Sequence, residues 1–448
     1  MIASEFQTRT SSNWLFSNYR THCVAAVLVT VLYASSLSAA TMTWTNEAGG
    51  NFQTAGNWNP NTVPSTNDTA IFDLIGPYTV TWSASVTNYD FAVKQGSVTW
   101  DLNGHTYNFN GSNHIYFGQT GVLDMTITNG TVAPVYIAVN WLFMECDYLT
   151  TLRIKDAALG WNYLTIGNGG VSSSRLVFDG ASATGSPIGG GYSRIGANGK
   201  GTLVVTNGAS VSLNGLAMPV WAGSGRLEVS GTNSVCNISR SQNIGTDVDT
   251  DPPCVIHISD GGIVENTWAN TYYGVVWLGA YSRVELDGGS LLLPSGTYDL
   301  EFNGGILEGH GWTRGKIENN AAQIIVGGSN DVGVISHTGA LYNYDPDTPA
   351  TTGTIDIEIA GPGTSEYDQL EISDVLYAGG TLKISLINGY TPGNTTFDIF
   401  DFLSADGTFA TVNLDDALGA SAWDLTQLYV TGEITFIPPP TGTLIYIW

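Results

Sequence analysis

A repeat of short alternating strands is the feature that most restricts how this chain can fold. In seven segments, apolar and polar residues alternate and then meet a turn of Asn or Asp, usually with Gly. These segments are residues 123–130, 152–157, 176–180, 203–208, 227–231, 256–261 and 284–288. Their turns lie 23 to 30 residues apart, which is about the length of one solenoid coil. Because one coil cannot bury its own apolar face and stacked coils can, the repeat favours a β-solenoid.

A second element, two residues followed by Gly with an apolar residue directly before the Gly, precedes most of these segments by about ten residues. It occurs at Tyr116-Phe117-Gly118, Thr165-Ile166-Gly167, Arg194-Ile195-Gly196 and Trp277-Leu278-Gly279. Each coil is therefore predicted to contain two or more strands, with Gly at corners that need a positive φ. A set of β-sandwiches is the second interpretation, but it would need frequent hairpin turns and no long period.

Composition and charge agree with stacked strands and exclude one class of partner. Gly accounts for 55 residues, and only 12% of residues are charged, about half the usual share. The 39 acidic residues outnumber the 14 basic ones, which gives a formal net charge of −25. A nucleic-acid-binding protein needs a basic surface, so no nucleic-acid partner is expected.

The N-terminus is typical of an export signal. Arg9 and Arg20 precede the apolar run 23–33, and Ser38 with the two Ala that follow supplies the small residues of a cleavage site. Cleavage is predicted after Ala40. The apolar run is short for a membrane helix, so no membrane span is expected after cleavage, and the protein is predicted to be extracellular or at the cell surface.

Three cysteines are left after this cleavage: Cys146, Cys236 and Cys254. They show no metal-binding spacing, so a zinc site or a disulfide framework is not expected. A bridge between Cys236 and Cys254 is one interpretation, and buried apolar side chains are the favoured one.

The two ends of the repeat region carry motifs of their own. Residues 41–110 are rich in aromatic residues and contain GNW at 56–58, VP at 63–64 and DTAIF at 68–72. Residues 353–436 contain YDQL, GGTLKISLINGY, FDIFDF and GTF. The chain is predicted to consist of a signal peptide (1–40), an N-terminal β cap (41–110), solenoid repeats (111–320), a C-terminal β-rich segment (321–436) and a Pro-rich tail (437–448).

These end motifs resemble bacterial secreted proteins with autotransporter-associated β-strand repeats, many of which end in a sorting signal of the Pro-Glu-Pro C-terminal type. The resemblance covers most of residues 41–436 and implies a right-handed parallel β-helix on, or released from, a bacterial cell. The chain departs from the pattern at two points. No series of membrane-barrel strands follows residue 436, and Pro438-Pro439-Pro440 is followed by no basic residue. Anchoring and release both stay open.

No catalytic motif is found, and the basic residues suggest at most a binding surface. Nucleophile-elbow, zinc-protease, phosphate-loop and dinucleotide signatures are all missing from the sequence. Arg175, Arg226 and Arg283 each precede the first strand residue of a repeat, so stacked coils would align them in a ladder. Such a ladder could bind an anionic glycan, although a solubilising stripe is favoured.

Acidic residues give weak signals for catalysis and for metal binding. Glu228 and Glu285 could approach the carboxylate spacing of a glycosidase, as could many other acidic pairs. Asp247, Asp249 and Asp251 place oxygen ligands at alternate positions, a pattern that suits Ca²⁺, but a solvated acidic loop is favoured. No other cofactor is expected.

Aromatic residues are the better indication of function. Trp141, Trp161, Trp221 and Trp277 recur near the predicted corners, where exposed rings could stack on sugars. Trp221 and Trp277 join the three Arg as candidate ligand-binding residues, although packing in the core is favoured for these Trp.

The sequence therefore predicts a secreted or cell-surface β-helix with a structural, adhesive or glycan-contacting role and no catalysis of its own. The expected partner is an extracellular polysaccharide or the cell-surface matrix. The alternatives are a polysaccharide lyase or glycosidase on the same fold, and an inert spacer or matrix protein.

Overall fold

Apolar residues recur at the same place in successive coils, and this recurrence organises the whole molecule. A computed structural model describes residues 39–111, 115–134, 141–145, 147–170, 172–218, 223–240, 242–245, 254–267, 276–294, 299–344, 352–414 and 423–438. The chain divides into two units, Met1–Ala40 and Thr41–Trp448, and only the last two residues of the first unit are described. The signal-peptide prediction therefore lies almost wholly outside the described residues.

The fold is nearly all β, 60% strand and 1% helix, and its parallel coils form a β-solenoid of about 12 turns.

The strands are short and follow one another closely along the chain. In the first half they are β1 (Thr41–Trp44), β2 (Gly50–Asn51), β3 (Trp58–Asn59), β4 (Thr69–Phe72), β5 (Pro77–Thr81), β6 (Val86–Asn88), β7 (Asp90–Val93), β8 (Gly96–Asp101), β9 (Thr106–Phe109), β10 (Ile115–Phe117), β11 (Leu123–Pro134), β12 (Trp141–Glu145), β13 (Thr150–Trp161), β14 (Tyr163–Asn168), β15 (Ser173–Asp179), β16 (Thr184–Pro187), β17 (Ser193–Ile195), β18 (Lys200–Thr206), β19 (Ser210–Leu213) and β20 (Leu216–Met218). In the second half they are β21 (Ser224–Ser230), β22 (Val235–Ile238), β23 (Gln242–Ile244), β24 (Cys254–Ser259), β25 (Ile263–Asn266), β26 (Val276–Leu278), β27 (Ser282–Leu292), β28 (Asp299–Phe302), β29 (Ile306–Arg314), β30 (Lys316–Asn319), β31 (Gln323–Val326), β32 (Val334–Thr338), β33 (Leu341–Tyr342), β34 (Thr354–Ile359), β35 (Gln369–Ala378), β36 (Thr381–Leu386), β37 (Thr395–Asp398), β38 (Phe400–Gly407), β39 (Thr411–Leu414), β40 (Trp423–Asp424) and β41 (Glu433–Phe436). A single 3₁₀ turn, Ala55–Asn57, is described between β2 and β3.

The strands form three parallel ladders, so a full coil contributes one strand to each of three faces. Face 1 consists of β2, β5, β8, the first parts of β11 and β13, β15, β18, β21, β24, the first parts of β27 and β29, β31, β34, β36 and β39. Face 2 consists of β6, β9, the second parts of β11 and β13, β16, β19, β22, β25, the second parts of β27 and β29, β32, and the first parts of β35 and β38. Face 3 consists of β1, β4, β7, β10, β12, β14, β17, β20, β23, β26, β28, β30, β33, and the second parts of β35 and β38. The predicted β-solenoid is confirmed, and the sandwich alternative is excluded by this parallel pairing.

The core is a set of apolar columns that run from coil to coil. On face 1, Leu152, Leu176, Leu203 and Leu227 lie opposite one another in successive strands, and each is fully buried. Alternation along each strand turns the intervening polar side chains outward. Burying a Leu side chain contributes about 2 kcal/mol, and a column shares this burial between neighbouring coils.

The corners use the residues that the repeat predicts. Gly118 and Gly196 directly follow face 3 strands and Gly167 lies near the end of β14, all with φ between 74° and 80°. The corner after face 1 uses Asn129 and Asn207, with φ of 56° and 55°. Gly, and Asn more than most other residues, tolerates this left-handed conformation.

The N-terminal coils have an aromatic core. Among the largest fully buried side chains are Trp44, Trp58, Trp82 and Trp100. The ring centroids of Trp44 and Trp58 are 5.2 Å apart and edge-on, and those of Trp82 and Trp100 are also 5.2 Å apart. β3 turns back and pairs antiparallel with β1, whereas the other strands of residues 41–110 run in the parallel ladders. The predicted cap boundaries stay a prediction.

At the other end, a small antiparallel sheet packs on aromatic side chains. β41 pairs with β37 and with β40. Phe397 and Ile434 are fully buried, and the ring centroid of Trp423 is 5.1 Å from that of Phe436. The predicted tail lies outside the described residues from 439 onward.

Two of the three cysteines lie in the described part of the chain. Cys236 is in β22 and Cys254 in β24, both are fully buried, and no disulfide joins them. The favoured interpretation, buried apolar side chains, is therefore confirmed for this pair. Burial raises the pKa of the Cys236 thiol to about 12. Cys146 is not described.

None of the described helical residues forms a segment long and apolar enough to span a membrane.

Replacing Gly196 tests whether the corners are required. A Cβ there would lie 2.1 Å from the carbonyl oxygen of Ser224, whereas Gly169 has a similar φ of 79° and no atom within 4 Å of its Cβ position. Gly169→Ala should cost about 1 kcal/mol in free energy of unfolding, because only the positive φ is strained. Gly196→Ala should cost about 3 kcal/mol or more, because the collision is added to that strain. Thermal unfolding followed by circular dichroism would check this, and equal losses for the two variants would contradict it.

Candidate functional site

Two surfaces carry side chains that could bind a ligand or take part in a reaction. The first is a ladder of charged side chains on face 1. Glu228, His257, Glu285 and Glu308 face outward at one register position of four successive strands. Neighbouring strands are about 4.8 Å apart, so these groups interact along the solenoid axis.

The three predicted Arg residues lie beside this column and are paired with it. Arg175 and Arg226 share one register position, with Thr202 between them, and Arg283 follows after Val255. Arg175 donates to Glu228 at 3.1 Å, and Arg226 donates to the same carboxylate at 2.7 Å. The Arg ladder is therefore aligned as expected, but as half of a mixed-charge network. Its binding of an anionic glycan stays a prediction.

The acidic half of this network is also occupied. Arg226 reaches Glu285 at 3.5 Å, His257 lies 3.1 Å from the same carboxylate, and Arg283 donates to Glu308 at 2.6 Å. Burial raises the pKa of Glu308 above its ordinary value, while Arg283 opposes this rise and Glu285 adds to it. Glu228 and Glu285, the predicted carboxylate pair, are separated by the strand that carries His257.

The other predicted site residues fall mostly outside what the structure describes. Asp247, Asp249, Asp251 and Trp221 are not described. Trp141 and Trp277 lie in β12 and β26, and their side chains are not described.

Trp161 is the exception among the predicted Trp, and it is buried in the core. Its ring centroid lies 6.3 Å from that of Phe178, and 1% of the residue is exposed. The favoured interpretation, core packing, is correct for this residue.

The second surface is a groove on face 2 beside an exposed tryptophan. Trp312 is 58% exposed, although large aromatic side chains are usually mostly buried. It lies in the second part of β29, directly after Gly311, whose φ is 150°. A Cβ on Gly311 would lie 2.4 Å from the carbonyl oxygen of Gly289, so the chain passes this corner only with Gly. The corner turns the next side chain, Trp312, outward on face 2.

Acidic side chains follow Trp312 along the same column. Trp312 lies opposite Ser336, which lies opposite Glu371, which lies opposite Asp401. Ser336 Oγ donates to Glu371 Oε2 at 2.6 Å. The groove has a volume of about 430 Å³, and the exposed Leu403 also lines it.

No Lys or Arg is among the residues that line this groove. Within the described ranges, no ion pair involves Glu371 or Asp401. The nearest cation along β29 is Arg314, which donates to Glu265 at 2.9 Å and to the Leu293 carbonyl at 2.7 Å. The groove therefore combines an aromatic plane with two carboxylates whose charge no described cation compensates.

A buried histidine supports the groove from beneath. His337 is 2% exposed, and its Nδ1 lies 2.9 Å from the Thr313 hydroxyl, while its Nε2 lies 3.3 Å from the Ala340 carbonyl oxygen. Burial lowers the pKa of His337 to about 4, and Asp374 is among the groups that oppose this. His337 is thus neutral at neutral pH.

Sequence reasoning missed Trp312, Glu371 and Asp401. One signal could have found Trp312, because alternation counted from the inward Leu307 gives Trp312 the outward phase. Asp401 lies in the FDIFDF motif, but no catalytic or metal-binding motif marks the two carboxylates, which come together only through the stacking of β35 on β38.

No protein-family model matches the chain, and no curated protein sequence matches it. Of the side chains that the structure describes, no three His, Cys, Asp or Glu form a group able to hold a metal ion.

The buried His337 should make stability fall in mild acid. The unfolded chain takes up this proton near pH 6.5 and the folded one only near pH 4. The neutral imidazole therefore stabilises fully above pH 6.5, and up to about 3 kcal/mol is lost as the pH falls to 4. His337→Asn removes this titration, so the free energy of unfolding of the wild-type protein minus that of the variant should fall by up to about 3 kcal/mol from pH 7 to 4. Asp368, whose pKa burial raises to about 8, acts oppositely and equally in both proteins. Parallel curves would refute this role of His337.

Proposed function

We propose that this protein is an exported β-solenoid that contacts glycans, without catalysis of its own, and that the groove at Trp312 is its contact site. The observation that carries the proposal is the exposed indole of Trp312 beside a groove of about 430 Å³. The C–H faces of pyranose rings are apolar, and a flat aromatic side chain stacks on them.

The polar side chains of the groove suit the rest of a sugar ring. Glu371 and Asp401 accept hydrogen bonds from hydroxyl groups, and the Ser336 hydroxyl holds the Glu371 carboxylate in place at 2.6 Å. All three side chains stand on strands of the ladder rather than on loops, which keeps their spacing fixed.

The direction of the groove also suits a linear polymer. Its residues follow the stacking of β29, β32, β35 and β38, so successive contacts recur about every 4.8 Å along the axis. A polysaccharide chain lying along this axis would meet the same face at each step. The export and surface location rest on the N-terminal sequence pattern alone.

Glycoside hydrolysis is a second candidate, which one observation favours. Glu371 and Asp401 lie directly opposite each other on neighbouring strands, about 4.8 Å apart at the backbone. Retaining glycosidases hold two carboxyl groups about 5 to 5.5 Å apart. Release of reducing ends from a bound oligosaccharide, abolished in Glu371→Gln, would favour this function over simple binding.

Removing the indole should weaken glycan binding. In a panel of cello-oligosaccharides, chito-oligosaccharides, β-glucan and alginate, Trp312→Ala should lower the affinity for the bound members about tenfold or more, because stacked Trp residues dominate such contacts. Trp312→Phe should keep part of the affinity. Titration calorimetry measures both.

Ile75→Ala is the matched control, because Ile75 is 77% exposed and lines a different groove near the N-terminal coils. It should leave affinity unchanged. If no glycan binds, or if binding does not depend on Trp312, the proposal fails and the inert spacer becomes the better interpretation.

Export predicts a defined N-terminus. Expressed with its full N-terminal sequence in a secreting bacterial host, the protein should begin at Thr41, because the small residues at 38–40 suit a signal peptidase. Mass spectrometry of the secreted chain checks this, with Ala40→Pro as a variant that should block cleavage. Retention of residues 1–40 in the secreted wild-type protein would contradict it.

A further inference from the structure

The negative charges of the carboxylates are paired with cations on face 1, whereas at the Trp312 groove no described cation pairs with them. On face 1, each Glu of the ladder has an Arg partner: Glu228 is bound at 2.7 Å, Glu285 at 3.5 Å and Glu308 at 2.6 Å. At the Trp312 groove, Glu371 and Asp401 lie in neighbouring strands with no described cation against them. Neighbouring like charges destabilise a sheet, so an external cation would relieve a repulsion that Arg relieves elsewhere.

The surroundings of the groove do not supply that cation. Arg314 is held by Glu265 and by the Leu293 carbonyl, and Lys316 pairs with Glu318. Of the other groups beneath the groove, His337 is buried and neutral at neutral pH. The two carboxylates therefore give the groove two formal negative charges, which act on any ligand bound there.

The position of Trp312 decides which cation fits. A metal ion such as Ca²⁺ takes six to eight oxygen ligands and gains nothing from an indole. An ammonium group pairs with carboxylates, but Trp312 lies two strands, about 10 Å, from Glu371. It is therefore one ring of a longer ligand that stacks on Trp312 while an ammonium group of another ring meets the carboxylates. A sugar that carries an amino group offers both a ring to stack and an ammonium group to pair.

We propose that the Trp312 groove selects glycans with free amino groups, that is, polymers of 2-amino-2-deoxy sugars. This inference rests on the proposed glycan contact and names its ligand class. Sugar rings stack on Trp312, and their ammonium groups pair with Glu371 and Asp401. Anionic glycans are repelled from the groove, and neutral or N-acetylated ones gain only the stacking.

Three hexasaccharides test this: glucosamine, N-acetylglucosamine and glucose oligomers, each β-1,4-linked. At about pH 6 and about 20 mM salt, the wild-type protein should bind the glucosamine oligomer about tenfold more tightly than the other two, as expected for exposed ion pairs. About 300 mM salt should remove most of this preference, because exposed charges are then screened.

The double variant Glu371→Gln/Asp401→Asn should lose the preference and keep the weaker binding of the N-acetylated oligomer. Glu47→Gln/Asp124→Asn is its matched control, because it removes the same two charges at exposed positions outside the groove. The control should keep the preference. Equal melting temperatures of the three proteins would show that a change in binding is not a change in folding.

The outcomes separate the two proposals. Equal binding of all three oligomers, dependent on Trp312, would overturn the amino-sugar inference and leave the glycan contact standing. No Trp312-dependent binding of any oligomer would overturn both. A Lys-rich peptide that binds as tightly as the glucosamine oligomer, with or without Trp312, would show that charge alone is recognised and would overturn the inference. Loss of the preference on adding a chelator would assign the carboxylates to a metal ion instead.

Discussion

The stacking of one coil on the next is the constraint on which every other feature of this protein depends. No coil has enough apolar surface to fold alone, and each inward residue, such as Leu176 or Leu203, is covered by its counterparts above and below. The backbone pairs follow the same order, so hydrogen bonding and burial reinforce each other. Keeping this register fixes every outward side chain at a known step along the axis. The charged ladder and the Trp312 groove are both products of that regular spacing.

Much of this architecture could be predicted from the sequence, because its cause is local. Alternation at Leu227 or Ile256 gives the inward phase, and Asn207 or Gly196 gives the corner. Those signals act within a few residues, and they recur with a period that indicates stacking. The number of faces was harder to predict, because β11 and β13 each pass through a corner without leaving the extended conformation for long. Three ladders result where the pattern indicated two or more strands per coil.

The candidate site was predicted less well, because its residues meet only across coils. Arg175, Arg226 and Arg283 were found by their fixed place in the repeat. Arg226 pairs with Glu228 in its own strand, but Arg175, Arg226 and Arg283 also pair with Glu residues of other coils, which the sequence does not show. Glu371 and Asp401 lie 30 residues apart in sequence, and no catalytic or metal-binding motif includes them. Their significance comes from the lack of a compensating cation among the described residues beside them, and this becomes visible only when the register of the strands is known.

The aromatic first coils have a consequence for how unfolding of this protein can be observed. Four Trp are buried together at one end: Trp44, Trp58, Trp82 and Trp100. The aliphatic side chains of the columns in the middle coils do not fluoresce. Each coil is stabilised mainly by its neighbours, so the two ends can lose structure at different denaturant concentrations. Trp161, Trp312 and Trp423 fluoresce from later coils, so intrinsic fluorescence reports on the N-terminal end alone only in a variant whose other Trp are replaced by Phe, whereas far-ultraviolet dichroism reports on all coils at once. The gap between the two transitions is a direct measure of how far cooperativity extends along the solenoid axis.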